Sequence, residues 1–170
     1  MMPNTAHNRL HVRARDMMVS NLITLSPDME VFDALDVLLR HRISGAPVVD
    51  DDRKFLGIFS EKSCIRFVVD AAYEQMPSNQ LMSFVDSDPP TISPDTGLLS
   101  IAQTFLDAAC RRLPVVNDAG RLLGQISRRD LMREVRDHLQ RPEPVATGAG
   151  LYLSAVVDGV DRPFRASGSH

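Results

Sequence analysis

Tryptophan is absent from this 170-residue chain, which has 2 tyrosines and 7 phenylalanines. Proteins that grip single-stranded nucleic acid stack bases on aromatic rings, and few rings are present for that. A basic excess is also missing: the net charge is −3 and the pI is near 5.9, whereas a nucleic-acid-binding domain is usually strongly basic. The 2 cysteines, Cys64 and Cys110, fall at apolar slots and are too few for a disulfide framework. They read as reduced core residues rather than as a catalytic thiol. No Cys/His set has zinc-ligand spacing. No apolar run approaches the roughly 18 residues of a membrane helix, and the start "MMPNTAHNRLHVRARD" has no signal-peptide apolar segment. The expectation is a cytoplasmic protein that meets neither membrane nor nucleic acid.

What is present is a duplication. "TLSPD" at 24–28 lies over "TISPD" at 91–95, an offset of 91 − 24 = 67. "PVVDD" at 47–51 over "PVVND" at 114–118, and "FLG" at 55–57 over "LLG" at 122–124, keep that offset of 67 without a gap. Internal repeats of this kind define the structural unit. A short extended piece, "NLITL" or "PPTI", leads into Ser-Pro-Asp, expected to cap a helix. Val31, Ala34, Leu35, Leu38 and Leu39 then recur at one-face helical spacing, as do Leu98, Ile101, Ala102, Phe105 and Leu106. "APVVD" and "LPVVN" are β-branched strands opening on proline. Polar turns "DDRK" and "DAGR" return the chain into "FLGIFS" and "LLGQIS", completing hairpins. A last helix carries Cys64, Ile65, Val68 and Ala72, or Leu131, Met132, Val135 and Leu139.

The expected fold is therefore α+β, two β-α-β-β-α repeats packed about a pseudo-twofold axis and sharing a core. One unit of about 50 residues would be marginal alone. The expected divisions are an N-terminal segment (1–15), repeat 1 (16–72), a polar linker (73–88), repeat 2 (89–140) and a Pro/Gly/Ala-rich tail (141–170). "DMMVSNL" before the first unit resembles "QLMSFVDSD" before the second.

The ordered set of motifs over about residues 16–139 resembles the tandem CBS-domain pair, or Bateman module. The resemblance implies a regulatory module rather than a catalyst. It implies clefts between repeats that take an adenine nucleotide (AMP, ADP or ATP) or another adenosyl ligand, pairing through helices into a homodimer, and an effector protein that reads the ligand state. The residues it carries over are Thr91, Ile92, Leu113 and Pro114 as adenine walls, with Ser127 and Asp130 of "GQISRRD" for phosphate and ribose. Arg112 and Arg128 are candidate phosphate neighbours, because guanidinium forks match phosphate oxygens. Backbone N–H groups at the start of the last helix would favour an anion. The first repeat keeps Thr24, Ala46, Pro47 and Ser60 but has Ser63 in place of the aspartate, so its cleft is expected to be the weaker site.

Two alternatives stand beside the ligand reading. Ser-x-x-Asp at a helix start also has the form of a capping box, which binds nothing. The chain can equally be a dimerisation or scaffold module with degenerate clefts. Catalysis is not expected: His7, His11, His41, His138 and His170 lie at helix ends or outside the clefts, and no nucleophile–base pair stands out.

Overall fold

Two antiparallel hairpins form the frame, and the sequence at each explains its register. The computed structural model describes residues 11–73 and 78–140. In chain order the elements are α1 (Ala14–Met17), α2 (Val31–His41), β1 (Gly45–Val49), β2 (Phe55–Ser60), α3 (Glu61–Tyr73), α4 (Leu98–Asp107), β3 (Arg112–Val116), β4 (Leu122–Ser127) and α5 (Arg128–Gln140). A short 3-10 turn, Leu81–Phe84, precedes the second repeat. The fold is α+β with two repeats, as expected, and the chain up to Arg136 groups as one compact unit. The tail from 141 onward lies outside the described residues, and among those described no helix is long and apolar enough to cross a membrane.

In each hairpin the central proline pairs opposite residue 58 or its counterpart: Pro47 faces Ile58, and Pro114 faces Gln125. The polar turns are built alike. The Asp50 side chain accepts from the Asp52 and Lys54 amides at 3.0 and 2.9 Å. Asn117 accepts likewise from Ala119 and Arg121 at 3.1 and 2.9 Å. Each turn needs one left-handed residue, Gly120 in the second (φ 76°) and Arg53 in the first (φ 62°). The turns also pair with each other: the Phe55 amide donates to the Gly120 carbonyl at 2.9 Å, and Leu122 to Arg53 at 3.0 Å. That reciprocal bond lies on the pseudo-twofold axis, since 120 − 53 = 67.

The helices begin later than expected. Ser26-Pro27-Asp28 does not cap α2; the Met29 amide donates to the Ser26 carbonyl at 3.2 Å, closing a turn before the helix. Glu30 and Gly97, the residues ahead of α2 and α4, make no side-chain cap. Partners come from the segments ahead of each repeat, exchanged between halves. Val31 donates to the Asn79 carbonyl at 2.8 Å, and Leu98 to the Val12 carbonyl at 3.0 Å.

That exchange runs through the cores. The expected shared core is in fact two clusters. One holds Ile92, Leu98, Ile101, Phe105, Leu113, Val115 and Ile126 of the second repeat together with Ala14 and Met17 of α1. The other holds Leu25, Val31, Ala34, Leu38, Ala46, Val48 and Phe59 of the first repeat together with Leu81 and Phe84. Each repeat is thus closed by the arm that precedes the other, and the linker expected to be polar contributes two core residues. Val19 bridges to Gln125 on the free edge of β4, and Asp86 to Ile58 on that of β2.

The arms cross directly over the repeated glycines. A Cβ on Gly124 would lie 2.8 Å from both the Met18 sulfur and the Val19 carbonyl oxygen. A Cβ on Gly57 (φ 147°) would run into the Asp86 carbonyl. Glycine opens each "GxxS" frame because backbone passes where a side chain would be.

Two apolar sets point further outward than their periodicity suggests. In α2 and α4, Leu39 and Leu106 are exposed while Val31, Ala34, Leu38, Leu98, Ile101 and Phe105 are buried. In the last helices Ile65, Val68 and Met132 are 64–71% exposed. The inward side of α3 is Ser63, the expected Cys64, and Phe67, whose ring stacks edge-on to Phe32 and Phe84 at 5.4 and 5.2 Å.

Candidate functional site

The start of α5 is a closed capping box. Ser127 N–H donates to Asp130 Oδ2 at 2.9 Å, Ser127 Oγ–H to the same oxygen at 2.6 Å, and Asp130 N–H returns to Ser127 Oγ at 3.2 Å. Two orphan amides of a helix start are satisfied reciprocally in this way. The Arg128 amide points at the Arg111 carbonyl at 3.4 Å. The Ser127 hydroxyl and the Arg128 and Asp130 amides, among the donors expected to receive a phosphate, are therefore engaged by the protein. Asp130 Oδ1 lies 3.4 Å from Arg133 Nη1, and the Asp130 side chain is 16% exposed.

The first repeat builds the same start from two hydroxyls. Ser60 N–H donates to Ser63 Oγ at 3.2 Å, Ser63 N–H to Ser60 Oγ at 3.4 Å, and the hydroxyls are 3.4 Å apart. The bonds are longer and uncharged, hence weaker. Glu61 N–H donates to the Ser44 carbonyl at 3.0 Å, matching Arg128 and Arg111.

A cavity of about 520 Å³ lies between the repeats. The first repeat lines it with Ser44, Gly45, Ala46, Ile58, Ser60, Glu61 and Lys62. The second supplies Ala108 to Arg112 and Gln125, with Asp86, Pro89 and Pro90 from the connecting segment. Arg112 reaches across: its Nη1 donates to the Gly45 carbonyl at 3.2 Å. Gly45 is the residue equivalent to Arg112, because 112 − 45 = 67. Cys110 lines this space and packs against the second-repeat core, and partial burial pushes its thiol up, against the opposing pull of Arg128. Burial likewise raises the Cys64 thiol. Neither behaves as an activated thiolate.

Of the residues carried over for the second repeat, only Arg112 lines the cavity. Ile92, Leu113 and Pro114 are buried in the core of their repeat, where the Ile92 amide donates to the Pro114 carbonyl at 3.0 Å. Thr91 and Arg128 are exposed, and Ser127 and Asp130 form the cap. Of the first-repeat set, Ala46 and Ser60 line the cavity; Pro47 is buried, Ser63 is 7% exposed within its cap, and Thr24 is half-buried. Sequence reasoning missed Ser44, Gly45, Lys62 and Ala108–Cys110. Their signal was available: they flank the strand starts and the helix start that the repeat brings face to face.

A CBS domain model matches the chain twice, at residues 14–70 and 81–137. The chain belongs to the CBS-domain family. Both matched spans begin in the exchanged arms, at Ala14 and Leu81. The CBS pair is similar to inosine-5'-monophosphate dehydrogenase of Aquifex aeolicus, 31% identical over 117 residues, or 68% of this chain and 23% of that protein. The chain spans 15–41% of the length of the first curated relatives it matches. Among solved structures, CBSX2 in complex with AMP matches with a TM-score of 0.68 at 24% identity, over 75% of this chain and 98% of that one; the same protein from Arabidopsis thaliana matches with a TM-score of 0.65. The CBS pair of MJ0100 with 5'-methylthioadenosine and S-adenosyl-L-methionine matches with a TM-score of 0.63 at 19% identity, over 74% of this chain and 97% of that one. These likenesses bear on the fold. Between the CBS repeats lies a cleft lined by cations of both halves, Lys62 of the first and Arg111 and Arg112 of the second.

Proposed function

We propose that this CBS pair is a regulatory module that senses an adenosyl ligand in the cleft between its repeats. The observation that carries the reading is the cavity itself. It is walled by small and apolar groups (Gly45, Ala46, Ile58, Ala108, Pro89), suited to a planar base, with Lys62, Arg111 and Arg112 at its sides. CBS pairs of the same fold hold AMP or S-adenosylmethionine. Ser60 and Arg112 are the named contacts on which the reading rests most. Asp130, expected from the sequence as a ribose ligand, closes the cap of α5 and does not line this cavity. No catalytic step is proposed for the chain.

Regulation requires that the ligand bind two arrangements with different affinity. The Arg112–Gly45 bond joins the repeats across the cleft, so a ligand that draws Arg112 away changes how the halves are tied. An effector protein would read that change.

The exposed face of Ile65, Val68, Met132 and Val135 favours a companion reading, in which a second copy of the chain packs on α3 and α5. Such a homodimer is compatible with ligand sensing, and alone it would be the scaffold alternative.

A thermal-shift panel of AMP, ADP, ATP and S-adenosylmethionine tests the proposal. At 100 times the dissociation constant a true ligand adds about 2.7 kcal/mol. At least one compound is expected to stabilise; none doing so at millimolar concentration leaves the scaffold reading in its place.

A further inference from the structure

The cleft touches the two exchanged arms unequally. Asp86, Pro89 and Pro90 line it, whereas among the described lining residues none comes from the N-terminal arm. Asp86 is also where its segment is fastened to the first repeat. Its amide donates to the Ile58 carbonyl and the Ile58 amide to its carbonyl, both at 2.9 Å; Ile58 lines the cavity too. Two residues upstream, Phe84 is buried in the first-repeat core. Its ring meets Phe67 of α3 edge-on, and Phe67 meets Phe32 of α2 in the same way. At the start of the same segment, the Leu81 amide donates to the Met29 carbonyl at 3.0 Å, just ahead of α2. Residues 81–90 therefore run from the start of α2, against α3, to the wall of the cleft. The second repeat lacks these rings: at the repeat offset of 67, Phe32, Phe67 and Phe84 correspond to Leu99, Glu134 and Met17. The outward faces differ in the same sense. α3 exposes Ile65, Val68, Val69 and Tyr73, while α5 has Arg136 and Gln140 at the places of the last two. Edge-on ring pairs have a preferred geometry, and an interior packed at crystal density transmits a displacement instead of absorbing it.

We infer that residues 81–90 form a strap that couples the cleft to α3. A ligand against Asp86 and Pro89 holds the strap on β2, and the Phe84–Phe67 contact carries that order to the exposed face of α3, with α5 left unaffected. The first repeat is thereby the half that reports the state of the cleft. The inference rests on the reading above for the identity of the ligand alone; the coupling belongs to the chain itself.

Hydrogen exchange resolved by residue tests this on the full chain in two comparisons. In the first, Asp86→Pro removes the amide that bonds Ile58 and touches neither ring. Val85 already has the extended backbone that a following proline requires, at φ −75° and ψ 133°. Exchange should quicken about ten-fold in Cys64–Val69 of α3, the equivalent of one net hydrogen bond, and stay unchanged in Leu131–Val135 of α5. With Phe67→Leu in place, the same change at Asp86 should no longer reach α3. Pro89→Gly with Pro90→Gly loosens the strap through backbone entropy and repeats the test without removing a bond. Circular dichroism establishes that each variant is folded. Quickening confined to residues 84–90, or equal in α3 and α5, overturns the coupling. The second comparison uses AMP as the probe. AMP should slow exchange at residues 44–46, 108–112 and in α3 of the wild type, and at 44–46 and 108–112 alone in Phe67→Leu. Protection of the cleft without α3 overturns the coupling and leaves the adenosyl reading standing. Protection nowhere counts against the adenosyl reading, and the Asp86→Pro comparison then decides the coupling by itself.

Discussion

Ser127 and Asp130 are bound to each other through three hydrogen bonds, the shortest being Oγ to Oδ2 at 2.6 Å. The pair answers why an aspartate stands here when Ser63 suffices at the equivalent place. Both repeats close the helix start; the carboxylate closes it with shorter, charge-assisted bonds, while Ser60 and Ser63 use hydroxyls at 3.2–3.4 Å. Asp130→Ala is expected to destabilise the fold by about 1–2 kcal/mol, the usual range for a lost cap. Ser63→Ala should cost about 0.5–1 kcal/mol by the same reasoning. Urea denaturation measures both. Equal costs, or none at Asp130, would show that the cap contributes little and that the carboxylate is kept for another purpose.

The crossing of the arms over Gly57 and Gly124 makes a stronger prediction. Gly57→Ala meets both a strained φ of 147° and the Asp86 backbone. Gly124→Ala meets Met18 and Val19. Each should cost about 2–3 kcal/mol through overpacking and displacement of an arm. Because the arms are exchanged, Gly124→Ala should loosen residues 14–19, and Gly57→Ala residues 81–86. Hydrogen exchange resolved by residue distinguishes the two; loosening of the arm that precedes the mutated repeat's partner is the expected pattern, and loosening confined to the mutated hairpin would contradict the exchange.

The N-terminal arm is also tied by charge. Arg13 Nη1 lies 2.7 Å from Asp95 Oδ1, and Arg15 contacts the same oxygen. The hydrogen bond from Arg13 leads the causes that hold the Asp95 carboxyl below its usual range. A group whose pKa is lower folded than unfolded adds stability above its unfolded value, near 3.9 for aspartate, and loses it as pH falls through the folded value. Acidification from about pH 5 downward should therefore increase amide exchange in residues 13–19 of the wild type more than in Asp95→Asn. The pair is exposed, so the effect is small and salt-sensitive. Identical acid profiles in the two proteins would remove the pair from the account.

The outward face of α3 and α5 predicts association. Ile65, Val68, Met132 and Val135 are 37–71% exposed, and large apolar side chains gathered on an outward helix face are the kind that association covers. Val68→Asp with Met132→Asp should yield a monomer by light scattering at tens of micromolar, roughly where micromolar affinities register, while the wild type is a dimer. A monomeric wild type would leave these helices for a different partner.

Much of the fold was legible because it rests on local pattern doubled. Both hairpins, with turns at Asp50 and Asn117, follow from β-branched runs and turn chemistry. The exchange of arms was not legible. "DMMVSNL" and its counterpart could be seen to resemble each other, yet nothing local says that Met17 packs under Leu98 rather than Val31; that is a tertiary choice. The helix starts were misplaced for the same reason, since Asn79 and Val12 cap α2 and α4 from a distance. At the site, the family pattern drew the reading to Thr91, Leu113 and Asp130. The cavity between the repeats is lined by Ser60 and Arg112, both named from the sequence, and by Gly45, which local pattern does not single out because only the folded hairpins bring it opposite Arg112.

The central claim is that an adenosyl ligand occupies this cleft. An amide 1H–15N spectrum recorded with increasing AMP or ADP tests it directly. Shifts clustered at residues 44–46, 60–62 and 108–112, with Gly45 among the largest, are the predicted result; saturating ligand with no shift there, or shifts confined to the exposed faces of α3 and α5, would contradict it.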